Sequence, residues 1–183
     1  MKNFIKTIFA LSVVILNLSA CSKNSNPPLS GKWEMSRTIK TEMLYEQNVP
    51  SSVFGYFYIR QIIQYDFSED NTFSKTIEQK FEKTEYLEEA NFLTEEQKAD
   101  IQKSLESMNS VYVLKGSFQQ KSKKINFTLE TCAKDGDVLS FQEASKNDPK
   151  LLSHAKPAKY KFEGDELILT DEVGNLSSFK KAL

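Results

Sequence analysis

With 183 residues, 24 of them basic and 25 acidic, the chain is close to neutral, and its lysines and glutamates alternate along the sequence instead of forming blocks. That excludes the concentrated positive face on which nucleic-acid binding depends. Once residues 1–20 are set aside, the remaining 163 residues suffice for one domain around a single core and are too few for two.

The first 20 residues read as an export signal. Lys2 and Lys6 form a short basic start, and Ile8 to Leu16 is an apolar run too short to span a bilayer. The run ends in Leu18-Ser19-Ala20-Cys21, which resembles the lipobox of bacterial lipoproteins. That resemblance implies cleavage before Cys21, which would then carry a diacylglyceryl thioether and an acylated amino group. Each buried methylene contributes about 0.8 kcal/mol, so two or three acyl chains hold a protein to a membrane where one is marginal. By the same resemblance, Ser22 stands where an aspartate in enterobacterial lipoproteins would signal retention at the inner membrane. The expected location is the bacterial cell envelope, at the outer membrane if the cell has one. With Cys21 acylated, Cys132 is the only thiol left, and no internal disulfide can form.

Residues 21–30 are polar and rich in turn formers, as a flexible tether would be, and the domain is expected over 31–183. Trp33, Met35 and Ile39 share one face of a first strand at a period of two. Residues 41–59 are broken by Pro50-Ser51-Ser52 and Gly55, and Phe54, Tyr56, Phe57 and Tyr58 crowd what reads as an aromatic loop. From Ile63 the alternation is plain: Ile63, Tyr65 and Phe67, then Ser68-Glu69-Asp70-Asn71 as turn chemistry, then Phe73, Ile77 and Phe81, which is a hairpin. Lys75 and Gln79 fall on the same face as these apolar residues, which a dry core would not ask for.

Thr94-Glu95-Glu96-Gln97 has the pattern of a capping box, and Ile101, Leu105 and Met108 recur at helical spacing, so one amphipathic helix is expected over about 94–109. Alternation then returns in Tyr112, Leu114, Gly116 and Phe118, in Ile125, Phe127 and Leu129, and in Val138 to Phe141 after Asp135-Gly136. Residues 143–156 read as a polar loop. Three short strands close the chain around the turns Gly164-Asp165 and Gly174-Asn175. Eight or nine meandering antiparallel strands with one inserted helix make an all-β, up-and-down barrel.

An ordered series of motifs resembles the lipocalin-like domains of bacterial lipoproteins over residues 29–181: Leu29-x-Gly31-x-Trp33, Tyr65-Asp66-Phe67-x-x-Asp70-Asn71-Thr72-Phe73, Leu114-Lys115-Gly116-Ser117-Phe118, and Tyr160-Lys161-Phe162-x-Gly164-Asp165-x-Leu167-x-Leu169 followed by Phe179-Lys180. The resemblance implies a calycin barrel whose tryptophan plugs the closed end under a basic residue of the last strand. Here that residue would be Lys180 or Lys181, and Trp33 with Lys180 is the expected plug.

For chemistry, Cys132 and His154 are the only pair that suggests a nucleophile and its base, and nothing local brings them together. The acids Glu85, Glu88, Glu89, Glu95 and Glu96 lack the central glycine of a calcium loop and read as a solvated helix start. No phosphate-binding glycine loop or metal-spaced cluster is present in the sequence. The chain therefore reads as a non-enzymatic monomer with no cofactor, no metal and no nucleic-acid partner, joined to the membrane through Cys21. Its expected role is to hold a small apolar or amphipathic ligand inside the barrel, with Tyr56, Tyr58, Tyr65, Phe73, Lys75, Ile77, Gln79 and Phe81 as candidate ligand-binding residues and the Tyr56 loop as a lid. The alternative is a filled barrel serving as an envelope interaction module that contacts a protein or the cell wall. A cavity of at least ~300 Å³ separates the two readings.

Overall fold

The computed structural model describes residues 29–45 and 52–182. Cys21, the export signal and most of the tether lie outside these residues.

Nine strands follow in chain order: β1 (Gly31–Tyr45), β2 (Ser52–Phe67), β3 (Thr72–Tyr86), β4 (Ser110–Lys121), β5 (Lys124–Lys134), β6 (Asp137–Ser140), β7 (Ala158–Glu163), β8 (Glu166–Thr170) and β9 (Leu176–Lys181). Every pairing is antiparallel, and eight strands close into a ring in the order β1-β2-β3-β4-β5-β7-β8-β9, with β6 added as an extra strand on β5. The expected all-β up-and-down barrel is therefore what forms. Closure rests on two short seams: Trp33 and Glu34 pair with Lys181 and Lys180 at β1–β9, and Lys124 and Ile125 pair with Lys159 and Ala158 at β5–β7. The closed ring surrounds a core made of its own inward-facing side chains.

Local chemistry sets the turns. Ser122 and Lys123 have φ of 49° and 61°, and Asp135 and Gly136 have φ of 51° and 100°, so two-residue connections with left-handed backbone join β4 to β5 and β5 to β6. Between β2 and β3, Asn71 takes φ 64° while the Asp70 carboxylate accepts from the Thr72 amide and hydroxyl at 3.0 and 2.7 Å.

The first three strands are 15 or 16 residues long, which at roughly 3.4 Å per residue makes them about 50 Å long and far taller than the barrel needs. The aromatic stretch around Tyr56 is thus strand, not the loop expected from Gly55 and Pro50, because β2 is paired on both sides through Gly55. The overhanging ends carry a small core of Met43, Phe54 and Ala90, against which Ile101 and Leu105 pack. These last two belong to helix α1 (Glu95–Glu106), whose Thr94–Gln97 capping box forms as the sequence predicts.

The main core fills one end of the barrel. Phe67, Phe73, Phe118 and Phe127 contact one another with ring centroids 4.9–6.4 Å apart, and Leu167 and Ile125 are fully buried beside them. Trp33 is 4% exposed, and its indole Nε1 donates to the Leu29 carbonyl at 2.8 Å. The cation nearest this ring is Lys181, whose Nζ lies 6.0 Å from the ring centroid. Lys180, the expected partner, falls on the other face of β9, with Nζ 3.9 Å from Glu166. The period of two decides this, since Lys181 shares its parity with the buried Phe179.

Candidate functional site

The inner face of β3 runs Phe73, Lys75, Ile77, with all three buried. The antiparallel register places Lys75 between Tyr65 of β2 and Leu114 of β4. The lysine is 8% exposed, and its Nζ lies 4.9 Å from the centroid of the Tyr65 ring.

The second neighbour of Lys75 comes from the segment read as a polar loop. Ser140 and Glu143 form a capping box that starts helix α2 (Phe141–Asn147), and Asp148 with Pro149 starts a 3-10 helix over Pro149–Ala155. Ala144 and Leu151 are the buried residues of these two turns, and they pack on Ile77, Leu114 and Cys132. Burying them pins the segment across the barrel where β5 and β7 share only two paired positions. The result is that Lys75 Nζ donates to His154 Nδ1 at 3.1 Å. An ammonium has no lone pair to offer, so Nδ1 must accept and the ring proton sits on Nε2.

Burial, reinforced by the charge of Lys75, lowers the His154 pKa to about 4, with Asp148 opposing the shift. Between that value and the ordinary one near 6.5, the unfolded chain binds a proton that the folded chain refuses. The contribution of His154 to stability is therefore complete above about pH 6.5 and fades as the pH falls toward 4. We expect acidification over this window to cost about 2–3 kcal/mol, after allowing for screening at the partly exposed edge of the ring. Urea denaturation at a series of pH values checks this, and His154→Gln should flatten that part of the profile.

Beside Lys75 and His154 lies a pocket of about 340 Å³, walled by Ile63, Phe127, Leu169 and Phe179 and reaching Tyr65. Its rim carries Lys156 and Glu172, which form an ion pair at 3.2 Å. Asp171 is also on the rim, with its carboxylate occupied by the backbone amides of Val173 and Asn175 and by the Asn175 side chain, at 2.8–3.0 Å. A wider depression of about 1100 Å³ on the outside of β1 and β2 is lined mostly by polar side chains such as Glu34, Gln64 and Asp66.

Of the residues expected to hold a guest, Tyr65 and Lys75 line the inner pocket. Phe73 belongs to the aromatic end of the barrel and Ile77 to the core under α2. Gln79 pairs across the sheet with Gln61, which in turn accepts from Arg37 Nε at 2.9 Å, and Phe81 pairs with Ile59 beyond the pocket. Tyr56 and Tyr58 lie on the face of β2 opposite Tyr65, line none of the described pockets, and so do not form a lid. Tyr56 sits under Lys40 Nζ, 3.6 Å from the ring centroid. Tyr58 donates to Glu85 at 2.6 Å, which raises the phenol's pKa and lowers that of the carboxyl.

Sequence reasoning missed His154 as a lining residue. The signal that could have placed it is Ser140-Phe141-Gln142-Glu143, a capping-box pattern like the one recognised at Thr94. Cys132 is buried, and both desolvation and the nearby Asp148 raise its pKa, so the thiol stays protonated at neutral pH. The Nδ1 of His154 is taken by Lys75.

Fold and pocket together define an eight-stranded antiparallel β-barrel with one added strand and an inner pocket beside a buried lysine. No protein-family model matches the chain, and the comparison with curated proteins gives no match either.

Proposed function

We propose that this chain is a lipid-anchored lipoprotein of the bacterial cell envelope whose lipocalin-like barrel binds a small apolar or amphipathic molecule and catalyses no reaction. One observation carries the binding reading: a pocket of about 340 Å³, walled in part by Ile63, Phe127, Leu169 and Phe179 and rimmed by polar side chains, lies beside His154 and the buried Lys75. Closed barrels of eight strands are just wide enough to fill themselves or to keep room for one guest, and this one keeps room. The anchor reading is supported by Leu18-Ser19-Ala20-Cys21 at the end of the apolar run.

The test is native mass spectrometry on residues 21–183 carrying Cys21→Ser. The protein should remain soluble without detergent and should carry a bound small molecule, or take one up from a lipid extract. A protein that still partitions into membranes would remove the lipid anchor. A barrel that stays empty against the whole extract would remove ligand binding.

A further inference from the structure

The inner pocket holds a lysine that is buried and, unlike Lys156 on the rim, takes part in no ion pair among the described residues. Among the described residues, no carboxylate forms a salt bridge with Lys75, whose polar contact is the His154 ring nitrogen. Of the acids near the site, Glu172 is paired with Lys156, while Asp171 accepts from Asn175 and Val173 and Asp148 from the amide of Lys150 at 3.1 Å, contacts that orient these two carboxylates without placing either in an ion pair with Lys75. An ion taken out of water costs several kcal/mol unless it is paired, and one neutral imidazole with one ring face returns only part of that. Because Nδ1 accepts from Lys75, His154 presents its remaining ring nitrogen as a second donor, Nε2–H. Thus the corner of the pocket at Lys75 and His154 offers donors, beside apolar walls and across from a polar rim that carries Asp171 and Glu172.

We propose that Lys75 and His154 form the seat for the anionic head of an amphiphilic guest, a single carboxylate or phosphate monoester whose hydrocarbon tail lies against Ile63, Phe127, Leu169 and Phe179. This rests on the binding function proposed above and names the chemical class of its ligand. Recognition is by charge at one end and by apolar contact along the rest, so the pocket discriminates against neutral and cationic amphiphiles of the same length.

The experiment is isothermal titration calorimetry on residues 21–183 carrying Cys21→Ser. The probes are straight-chain carboxylates from octanoate to laurate, decyl phosphate, decanol and decyltrimethylammonium. We expect decanoate or decyl phosphate to bind at least about tenfold more tightly than decanol, equivalent to 1.4 kcal/mol, and the cation more weakly still. Which anion binds more tightly tells the carboxylate from the phosphate head. Lys75→Met should abolish the preference while leaving decanol affinity within about twofold, and Lys75→Arg should keep it. Replacing a buried charge with an apolar side chain of similar volume is commonly neutral or stabilising, so the Met variant should fold, as near-UV circular dichroism will report. Decanol binding as tightly as the anions, or an anion preference that survives Lys75→Met, would overturn the anionic seat and leave the pocket standing. Failure of every amphiphile to bind would overturn both.

Discussion

Gly116→Ala is expected to prevent the barrel from closing. A β-carbon at this position would lie 1.9 Å from the carbonyl oxygen of Thr128 and 3.0 Å from the α-carbon of Leu129. Both are backbone atoms of the neighbouring strand, so no side chain can swing aside. Relief requires β4 and β5 to part where the register shifts between Lys115 and Gly116. Overpacking a core with extra methylenes typically costs about 1–3 kcal/mol. A clash that only a break in the sheet can relieve will exceed that range, and a small domain has about 5–15 kcal/mol in total. We expect a loss above about 3 kcal/mol, with Phe118 and Leu114 losing their places on either side. Urea titration followed by far-UV circular dichroism checks the expectation. An alanine variant within about 1 kcal/mol of the parent would show that the close approach of the strands is not required.

Trp33→Ala is expected to cost about 3–5 kcal/mol, the range for deleting a buried large aromatic side chain. The ring contacts Phe162, with centroids 5.6 Å apart, and lies beside the fully buried Leu167 in the same core. Its removal also leaves the Leu29 carbonyl without the indole donor. Trp33 is part of the two-pair seam that joins the first strand to the last, so the loss falls where closure is weakest. The protein has one tryptophan, and the comparison must therefore use circular dichroism or calorimetry instead of intrinsic tryptophan emission. A milder result, below about 1 kcal/mol, would place the ring outside the cooperative core.

Much of the barrel was legible because its determinants are local. Alternation over Tyr65–Phe67 and Phe73–Ile77 assigns each side chain to a face, and Asp70-Asn71 marks the turn between them. The helix start at Thr94 follows from two side chains three residues apart. Other features depended on length and partners. Gly55 and the prolyl stretch before it suggest a break, yet β2 pairs with a long strand on each side, and a residue that would loosen a lone strand is held. Lys180 and Lys181 are indistinguishable by composition; parity with Phe179 puts Lys181 on the inner side of β9, and the register against Trp33 then brings its exposed side chain over the indole ring.

The candidate site divides in the same way. That Lys75 shares a face with Phe73 and Ile77 follows from the period of two, and all three are buried. That it meets His154 does not, since 79 residues separate them and the contact depends on Ala144 and Leu151 burying themselves against Ile77 and Leu114. What the amino-acid order determined by itself was the parity of strands such as Tyr65–Phe67 and Phe73–Ile77, the turn at Asp70-Asn71 and the start of α1, because these act over a few bonds. What only the tertiary structure decided was where the ring closes, which aromatic residues fill it and which leave a void beside a charge. Those outcomes depend on the fit of side chains brought together from distant strands, and no local window of the chain contains them.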